Sequence, residues 1–185
     1  IGWNRLEFNR ENKILNNINK ESFVYYVHSF MATEMIDENL SCKEIKIFAM
    51  SKDEPRFKNK AYAYVQREFF LKDLVNEKGK FLYYRNGMNI SGDTLVLFKF
   101  DRQIIASAIV KKSKKFKIPE VRHGVNHNGA LYLDISTIEV FRPINISKLL
   151  EEIPNLNYST RGNKIEIENL DIIIQLINKN IGLTL

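Results

Sequence analysis

The residues best suited to chemistry in this sequence are closely spaced lysines. The segment KKSKKFK, residues 111–117, places Lys111, Lys112, Lys114 and Lys115 within five positions. Lysine ammonium groups are costly to bury, and they bind phosphate oxygens as point charges that carry no sequence information. The segment therefore predicts a surface that binds a polyanion. The alternative is the solvated end of a strand.

A second candidate combines aromatic side chains with a cation. In the segment FLYYR, Tyr83, Tyr84 and Arg85 are consecutive. On a strand, Phe81 and Tyr83 share one face and Tyr84 lies on the other, so one tyrosine is expected in the core and one at the surface beside Arg85. A tyrosine next to an arginine can stack on a nucleobase and hold a phosphate. In the alternative interpretation, both tyrosines are half-buried in a barrel wall.

The histidines offer weaker chemistry. His123 and His127 are four residues apart, but the glycines and asparagines around them predict a loop, and the sequence shows no third metal ligand. In one interpretation, His127 or Asn128 contacts a ligand from this loop. In the other, the segment is a plain surface turn. For the chain as a whole we expect no metal, no cofactor and no catalytic residue.

Three residues before the main basic region have the spacing of a metal-dependent nuclease. Asp37, Glu44 and Lys46 resemble the Asp…Glu-x-Lys arrangement, in which two carboxylates hold Mg²⁺ and a lysine lies near the attacking water. Many basic strands with scattered acidic residues match this pattern by chance. It is kept as the least favoured alternative.

The charge of the chain is concentrated in its middle. The 185 residues have a net charge of +6, but residues 58–122 alone carry 15 basic and 6 acidic side chains, so the remainder is net negative. Arg102 lies in this segment, in a predicted turn, and is a further candidate for contacting a polyanion. This distribution favours nucleic acid as the partner, although a solvated basic face would look the same.

Composition excludes several classes of protein. Hydrophobic residues make up 44% of the chain, as in globular proteins, and no apolar run reaches the roughly 18 residues of a membrane span. The single cysteine, Cys42, excludes a disulfide framework and suggests a reducing compartment. We expect a cytoplasmic protein that does not bind membranes.

Periodicity predicts short strands and three helices. Strands are expected at 22–31, 44–50, 80–85, 94–100, 103–110, 130–135, 137–141 and 164–167, and helices at 61–76, 146–153 and 169–178. The central strands follow one another without intervening helices, which favours a mostly antiparallel sheet. The predicted class is α+β: a small curled sheet or barrel with about three flanking helices.

The hairpin 94–110 is apolar on both faces, so both faces must be covered. We expect helix 61–76 to cover one face and the barrel interior to form the other. The small residues Ala106 and Ser107 leave room for the floor of a binding pocket or for a closely packed helix. Asn169 is the expected cap of the last helix.

Residues 1–42 carry a family resemblance of their own. The segments IGWNRL, ILNNI and FVYYVHSF resemble the glutamine amidotransferase subunit of imidazole glycerol phosphate synthase. That family uses a cysteine on a strand-to-helix elbow and a downstream His-Pro-Glu segment, and neither is present here. The resemblance implies an inactive fragment or appendage, and we expect its strand at 22–30 to join the edge of the larger sheet because it is too apolar to remain in water.

Residues 80–145 resemble the PUA-like superfamily, in particular the EVE/YTH-like modules attached to restriction endonucleases. The resemblance is carried by the segments FLYYRNG, GDTLVLFKF, IIASAIV, NGALYLD and IEVFRPI. It implies a small barrel, here within 43–185, that binds nucleic acid and often holds one flipped base. Ala106 stands where the family has glycine, and Trp3 is the only tryptophan, so a cage for a modified base would need Tyr or Phe.

These observations lead to three hypotheses of different classes. The leading one is a nucleic-acid-binding module of a restriction or defence protein, with DNA favoured over RNA and the nuclease on another domain or subunit. The second is an inactive amidotransferase fragment, and the third is a small metal-dependent nuclease.

Overall fold

The computed structural model describes residues 2–5, 23–26, 42–84, 90–156 and 163–181. The chain divides into two compact units, residues 1–34 and 35–185. In the first unit, β1 (Gly2–Arg5) pairs antiparallel with β2 (Phe23–Tyr26). Among the described residues, β2 belongs to a separate two-stranded sheet and not to the larger sheet, contrary to expectation. The rest of the predicted strand lies outside the described residues.

The second unit holds seven strands and three helices within its described residues. The strands are β3 (Glu44–Ala49), β4 (Lys80–Tyr83), β5 (Thr94–Phe100), β6 (Gln103–Arg122), β7 (Val125–Leu133), β8 (Glu139–Asn145) and β9 (Asn163–Ile165). The helices are α1 (62–76), α2 (Ile146–Glu152) and α3 (Leu170–Asn178). Short 3₁₀ turns occupy Ile135–Thr137 and Ile167–Asn169.

The strands form one mixed sheet in the order β4-β7-β6-β5-β3-β9, with β8 also paired to β6. Only β3 and β5 run parallel among the described pairs, and the others are antiparallel. The predicted α+β class with a mostly antiparallel sheet is confirmed. The two-residue turn Asp101-Arg102 joins β5 to β6, as predicted, with both residues at positive φ.

The sheet is strongly curled. In a flat sheet, β4 and β3 would lie roughly 19 Å apart, because four interstrand spacings separate them. Instead, the rings of Phe48 on β3 and Phe81 on β4 are in edge-to-face contact, with centroids 5.0 Å apart. The concave face of this curl holds a core rich in phenylalanine.

Two hydrophobic layers cover the two faces of the central hairpin. On the concave side, α1 packs Val65, Phe69 and Phe70 against β5 and β6. On the other side, α2 and α3 contribute a separate cluster against Leu95, Leu97 and Ile104. Helix α1 covers one face of the hairpin, as expected, but it does so on the concave side, and the opposite face is covered by α2 and α3 instead of α1. The expected pocket floor is wrong, because Ala106 and Ser107 are fully buried and α1 fills the space over this part of the strand.

Helix α1 is widened in its middle. Residues Val65–Asp73 form a π-helix, flanked by single α-helical turns. Within it the buried Gln66 donates both side-chain amide hydrogens to backbone carbonyls, to Ile105 at 2.6 Å and to Phe141 at 2.7 Å. Pairing of β6 with β8 is irregular between Ile104 and Ala106, so Gln66 supplies hydrogen bonds where the ladder is interrupted.

The two C-terminal helices begin differently. Asn145 caps α2, since its side-chain oxygen accepts a hydrogen bond from the Ser147 amide at 2.9 Å. Asn169 precedes α3, but its side chain makes no cap hydrogen bond and instead donates to the Glu166 carbonyl at 3.4 Å. Asn169 therefore occupies the predicted cap position, but without the capping hydrogen bond, because its side chain contacts the 3₁₀ turn before α3.

Candidate nucleic-acid interface

The lysine segment lies on a long two-stranded ribbon. Strand β6 was expected to end at Val110, but it continues to Arg122 and pairs with β7 as far as Arg122↔Val125. The loop expected at 123–129 is also wrong, because only His123 and Gly124 form a turn, at φ of 52° and 73°. Pairing with β7 extends the strand through residues whose own strand propensity is low.

Strand register places three side chains in one row, two from the ribbon and one from β4. Tyr132 on β7 lies opposite Lys112 on β6 and opposite Lys80 on β4, and directly opposed residues of antiparallel strands share a face. The Lys112 ammonium lies 4.8 Å from the centroid of the Tyr132 ring, within range of a cation–π contact. Lys114, opposite Ala130, follows on the same face. Exposed Lys112 and Lys114 therefore lie on one side of the half-exposed Tyr132 ring, and the partly buried Lys80 lies on the other.

One acidic partner neutralises the first lysine of the segment. Lys111 forms an ion pair of 3.1 Å with Asp134. Burial opposes ionisation of this carboxyl, but hydrogen bonds from Ser136 and Lys111 lower the pKa of Asp134. Exposed Lys114, Lys115 and Lys117 form no ion pair with any carboxylate in the part of the chain that the structure describes. Their charge is therefore available to a phosphate.

Past these lysines, β6 bulges outward. The register jumps from Lys115↔Gly129 to Glu120↔His127, so four residues, 116–119, lie opposite Asn128 alone. We call residues 116–119 the bulge. Lys80 holds both of its ends: its ammonium lies 5.7 Å from the centroid of Phe116 and 2.8 Å from a carboxylate oxygen of Glu120. The hydrogen bond from Lys80 lowers the pKa of Glu120.

Tyr83 lies in the core instead of at the surface. It is 5% exposed and packs over Gly129, and its hydroxyl lies 3.5 Å from the Lys114 carbonyl that it donates to. A Cβ at Gly129 would come within 2.3 Å of that hydroxyl. A glycine in the middle of a strand thus creates the space that the tyrosine fills. The structure supports a structural role for Tyr83, and one tyrosine of the pair lies in the core, as the first interpretation expected.

Tyr84 is half-buried, and its carbonyl accepts a 2.5 Å hydrogen bond from the side chain of Asn128. The space beside it, between the end of β3 and β4, has a volume of about 10 Å³, which suits one water molecule and not a nucleobase. Arg85 lies outside the described residues. Base stacking at this site is therefore not supported by the space next to Tyr84.

His127 faces inward from β7. The side chain is 1% exposed, with Nδ1 3.3 Å from the Glu120 carbonyl. Burial, followed by the positive charge of Arg56, lowers the pKa of His127. The guanidinium of Arg56 lies on the rings of Phe57 and Phe69 and forms an ion pair with buried Glu54. His127 belongs to the interior beneath the ribbon and does not reach a ligand on its surface.

The buried histidine predicts a pH dependence of stability. Because the pKa of His127 is lower in the folded chain than the ordinary value near 6.5, the unfolded chain takes up the proton first and stability falls as the pH drops through 6.5. Chemical denaturation of His127→Leu between pH 8 and 5 should show a shallower decline of unfolding free energy than wild type. His123→Leu, at an exposed position, is the control, and an equally shallow decline there would contradict the assignment.

The remaining predicted residues are separated from the ribbon. Arg102 is exposed in the β5–β6 turn, nine residues and about 30 Å along β6 from Lys111. Glu44 and Lys46 pair with each other at 3.0 Å on β3, and Asp37 lies outside the described residues. Within the described ranges, no three His, Cys, Asp or Glu side chains are placed to hold a metal ion.

Sequence reasoning did not identify three residues of this surface: Lys80, Tyr132 and Ile118. Lys80 and Tyr132 join Lys112 only through strand register, which the sequence does not display. Ile118 could have been noticed, since an isoleucine between lysine and proline in a charged segment is unusual for a solvated strand end. Among the described residues, no helix is long and apolar enough to span a membrane.

The chain matches no known family model and no curated protein by sequence. Solved structures of an ASCH protein from Zymomonas mobilis are similar in fold. A serine-to-alanine mutant has 12% identity and a TM-score of 0.45, covering 71% of this chain and 95% of that chain. A tyrosine-to-phenylalanine mutant has 13% identity and a TM-score of 0.43, covering 72% of this chain and 99% of that chain.

Proposed function

We propose that this protein binds nucleic acid through the β6–β7 ribbon. The observation that carries the proposal is the set of exposed lysines on the ribbon, Lys112, Lys114, Lys115 and Lys117, beside the half-exposed ring of Tyr132. Neutralising phosphates with such cations releases condensed counterions, which supplies most of the affinity in sequence-independent binding. Tyr132 adds a flat ring that a sugar or an unstacked base can contact.

Duplex DNA is the proposed ligand, in preference to RNA. Two-stranded β-ribbons bind in the major or the minor groove of B-form DNA, whereas the major groove of A-form RNA is too deep and narrow for side chains to read. The resemblance of residues 80–145 to modules attached to restriction endonucleases extends this proposal to a biological role. In that role the chain is the recognition module of a restriction or defence protein, and a nuclease acts from another domain or subunit.

Salt dependence of binding tests the proposal. Fluorescence anisotropy of a labelled mixed-sequence duplex should show affinity falling steeply with salt. The variant K112A/K114A/K115A should bind roughly tenfold to hundredfold more weakly near 0.1 M salt. For this variant, the slope of log binding constant against log salt concentration should be shallower by about one unit for each phosphate that is no longer neutralised.

The control removes the same charge elsewhere. Lys58, Lys148 and Lys179 are exposed and lie outside the ribbon, so K58A/K148A/K179A should retain the wild-type slope. Equal weakening in the two variants would show that net charge alone governs binding. An unchanged slope in the ribbon variant would show that these lysines do not contact phosphate. The same titration with duplex RNA compares the two ligands directly.

A further inference from the structure

The bulge presents an apolar side chain where the ribbon is otherwise charged. Ile118 is 83% exposed, more than any other large hydrophobic residue that the structure describes, and Val121 follows at 66%. Lys117 precedes it and Pro119 follows, and both are exposed. Single exposed hydrophobic side chains are common on protein surfaces. What points to a partner here is the setting of Ile118, an apolar side chain at the end of a charged ribbon.

The bulge is held rigidly at its two ends. Phe116 is half-buried and lies under the Lys80 ammonium, while Glu120 forms a bidentate contact with the same ammonium at 2.8 and 3.1 Å. Arg122 extends this network by contacting both Glu120 and Glu77. One lysine therefore fixes the chain directly before and after the three exposed residues.

Backbone chemistry restricts the exposed part further. Proline fixes its own φ near −65° and disfavours the helical conformation of the residue before it, so Ile118 is held extended. A side chain presented on a fixed backbone loses little conformational entropy on binding. Ile118 is therefore pre-organised, which is unusual for a residue so exposed.

The charges around Ile118 decide which partner fits. Exposed Lys114, Lys115 and Lys117 precede it along the strand, so an apolar protein surface would have to desolvate several ammonium groups. A nucleic-acid duplex has charged phosphates outside and an apolar interior between stacked base pairs. Isoleucine and proline are among the side chains that enter such steps as wedges and kink the duplex.

We propose that Ile118 is a wedge that enters a base-pair step of duplex DNA while the neighbouring lysines hold the flanking phosphates. This inference rests on the proposed nucleic-acid binding. It adds a distortion of the DNA, which lysine–phosphate contacts do not produce. Flexible pyrimidine–purine steps should be preferred, because they unstack at lower cost than A-tracts.

Two measurements on one set of duplexes test the wedge. The first is emission of 2-aminopurine placed at a central TA step, which rises when the base unstacks. The second is the affinity ratio between a duplex with a central TA step and one with an A-tract, measured by anisotropy. Wild type should raise the emission and prefer the TA duplex by about tenfold.

The Ile118→Ala variant should lose both the emission rise and the preference while keeping the wild-type salt slope. Ile167→Ala, which shortens another exposed isoleucine on a turn before α3, should behave as wild type. Thermal melts should be unchanged, since Ile118 is mostly exposed. If Ile118→Ala binds with unchanged emission and preference, the wedge is wrong and lysine-mediated binding stands. If wild type fails to bind, both proposals fall together.

Discussion

Replacing Gln66 by leucine should lower the free energy of unfolding by about 2–4 kcal/mol. The leucine would leave the carbonyls of Ile105 and Phe141 without the donor they share, and each unsatisfied buried polar group costs about 1–3 kcal/mol. Leucine is close in size to glutamine, so little of the destabilisation would come from a cavity. Urea denaturation followed by circular dichroism measures the change.

A matched control separates this effect from the general cost of a glutamine-to-leucine change. Gln175 is exposed on α3, and Gln175→Leu should alter stability by less than about 0.5 kcal/mol. If Gln66→Leu lowered the free energy of unfolding as little as this control, the hydrogen bonds from Gln66 to the two carbonyls would not be needed for stability. The irregular pairing of β6 with β8 would then need another explanation.

The Gly129→Ala variant should be destabilised by about 1–3 kcal/mol or more, as expected for overpacking a tight site. Its Cβ would lie 2.3 Å from the Tyr83 hydroxyl oxygen and 2.5 Å from the Lys114 carbonyl oxygen. The tyrosine could turn away only by leaving the core, and the carbonyl belongs to the neighbouring strand. Thermal and urea denaturation should agree on the size of the effect.

Double substitution identifies which neighbour is responsible. With Tyr83→Ala in the background, Gly129→Ala should cost less than it does alone, because the ring no longer competes for the space. Additive costs would show that the Lys114 carbonyl alone is responsible. Gly124→Asn is the control: Gly124 has a φ of 73°, but a Cβ there would meet no atom within 4 Å, and asparagine tolerates positive φ.

Local patterns in the sequence are sufficient to predict much of the fold. The β5–β6 hairpin, the turn at Asp101-Arg102 and helices α1 to α3 follow from the periodicity of apolar residues. These elements depend on neighbours within a few residues. Their apolar faces also indicated that the hairpin must be covered on both sides.

Long-range pairing could not be predicted in the same way. The second half of β6 is lysine-rich and has low strand propensity, and it is extended because β7 pairs with it. His123–Gly129 resembles a loop by composition, but Tyr83 fills the gap at Gly129 and the strand continues. The outer cover of the hairpin comes from α2 and α3, which lie more than 35 residues further along the chain.

The candidate site was predicted only in part. The exposed lysines of 111–117 were identified by charge, and they lie on one ribbon. The aromatic residue beside them is Tyr132 and not Tyr83 or Tyr84, because register across three strands, and not proximity in sequence, selects it. His127 was expected at a ligand and lies in the interior, since residues of a strand alternate between its two faces.

The central hairpin has a consequence for how the domain opens. Strand β5 and the first half of β6 carry one hydrophobic layer on each face. Neither layer can detach without exposing an apolar face of this hairpin. Openings that involve this hairpin therefore require nearly the whole free energy of unfolding, and its amide protons should be the slowest to exchange with solvent. Residues 116–126 of the ribbon belong to neither hydrophobic layer and are tied to the domain through Lys80 and the pairing with β7, so their amide protons should exchange faster than those of the hairpin. The domain thus combines a slowly exchanging central hairpin with a ribbon end that exchanges faster.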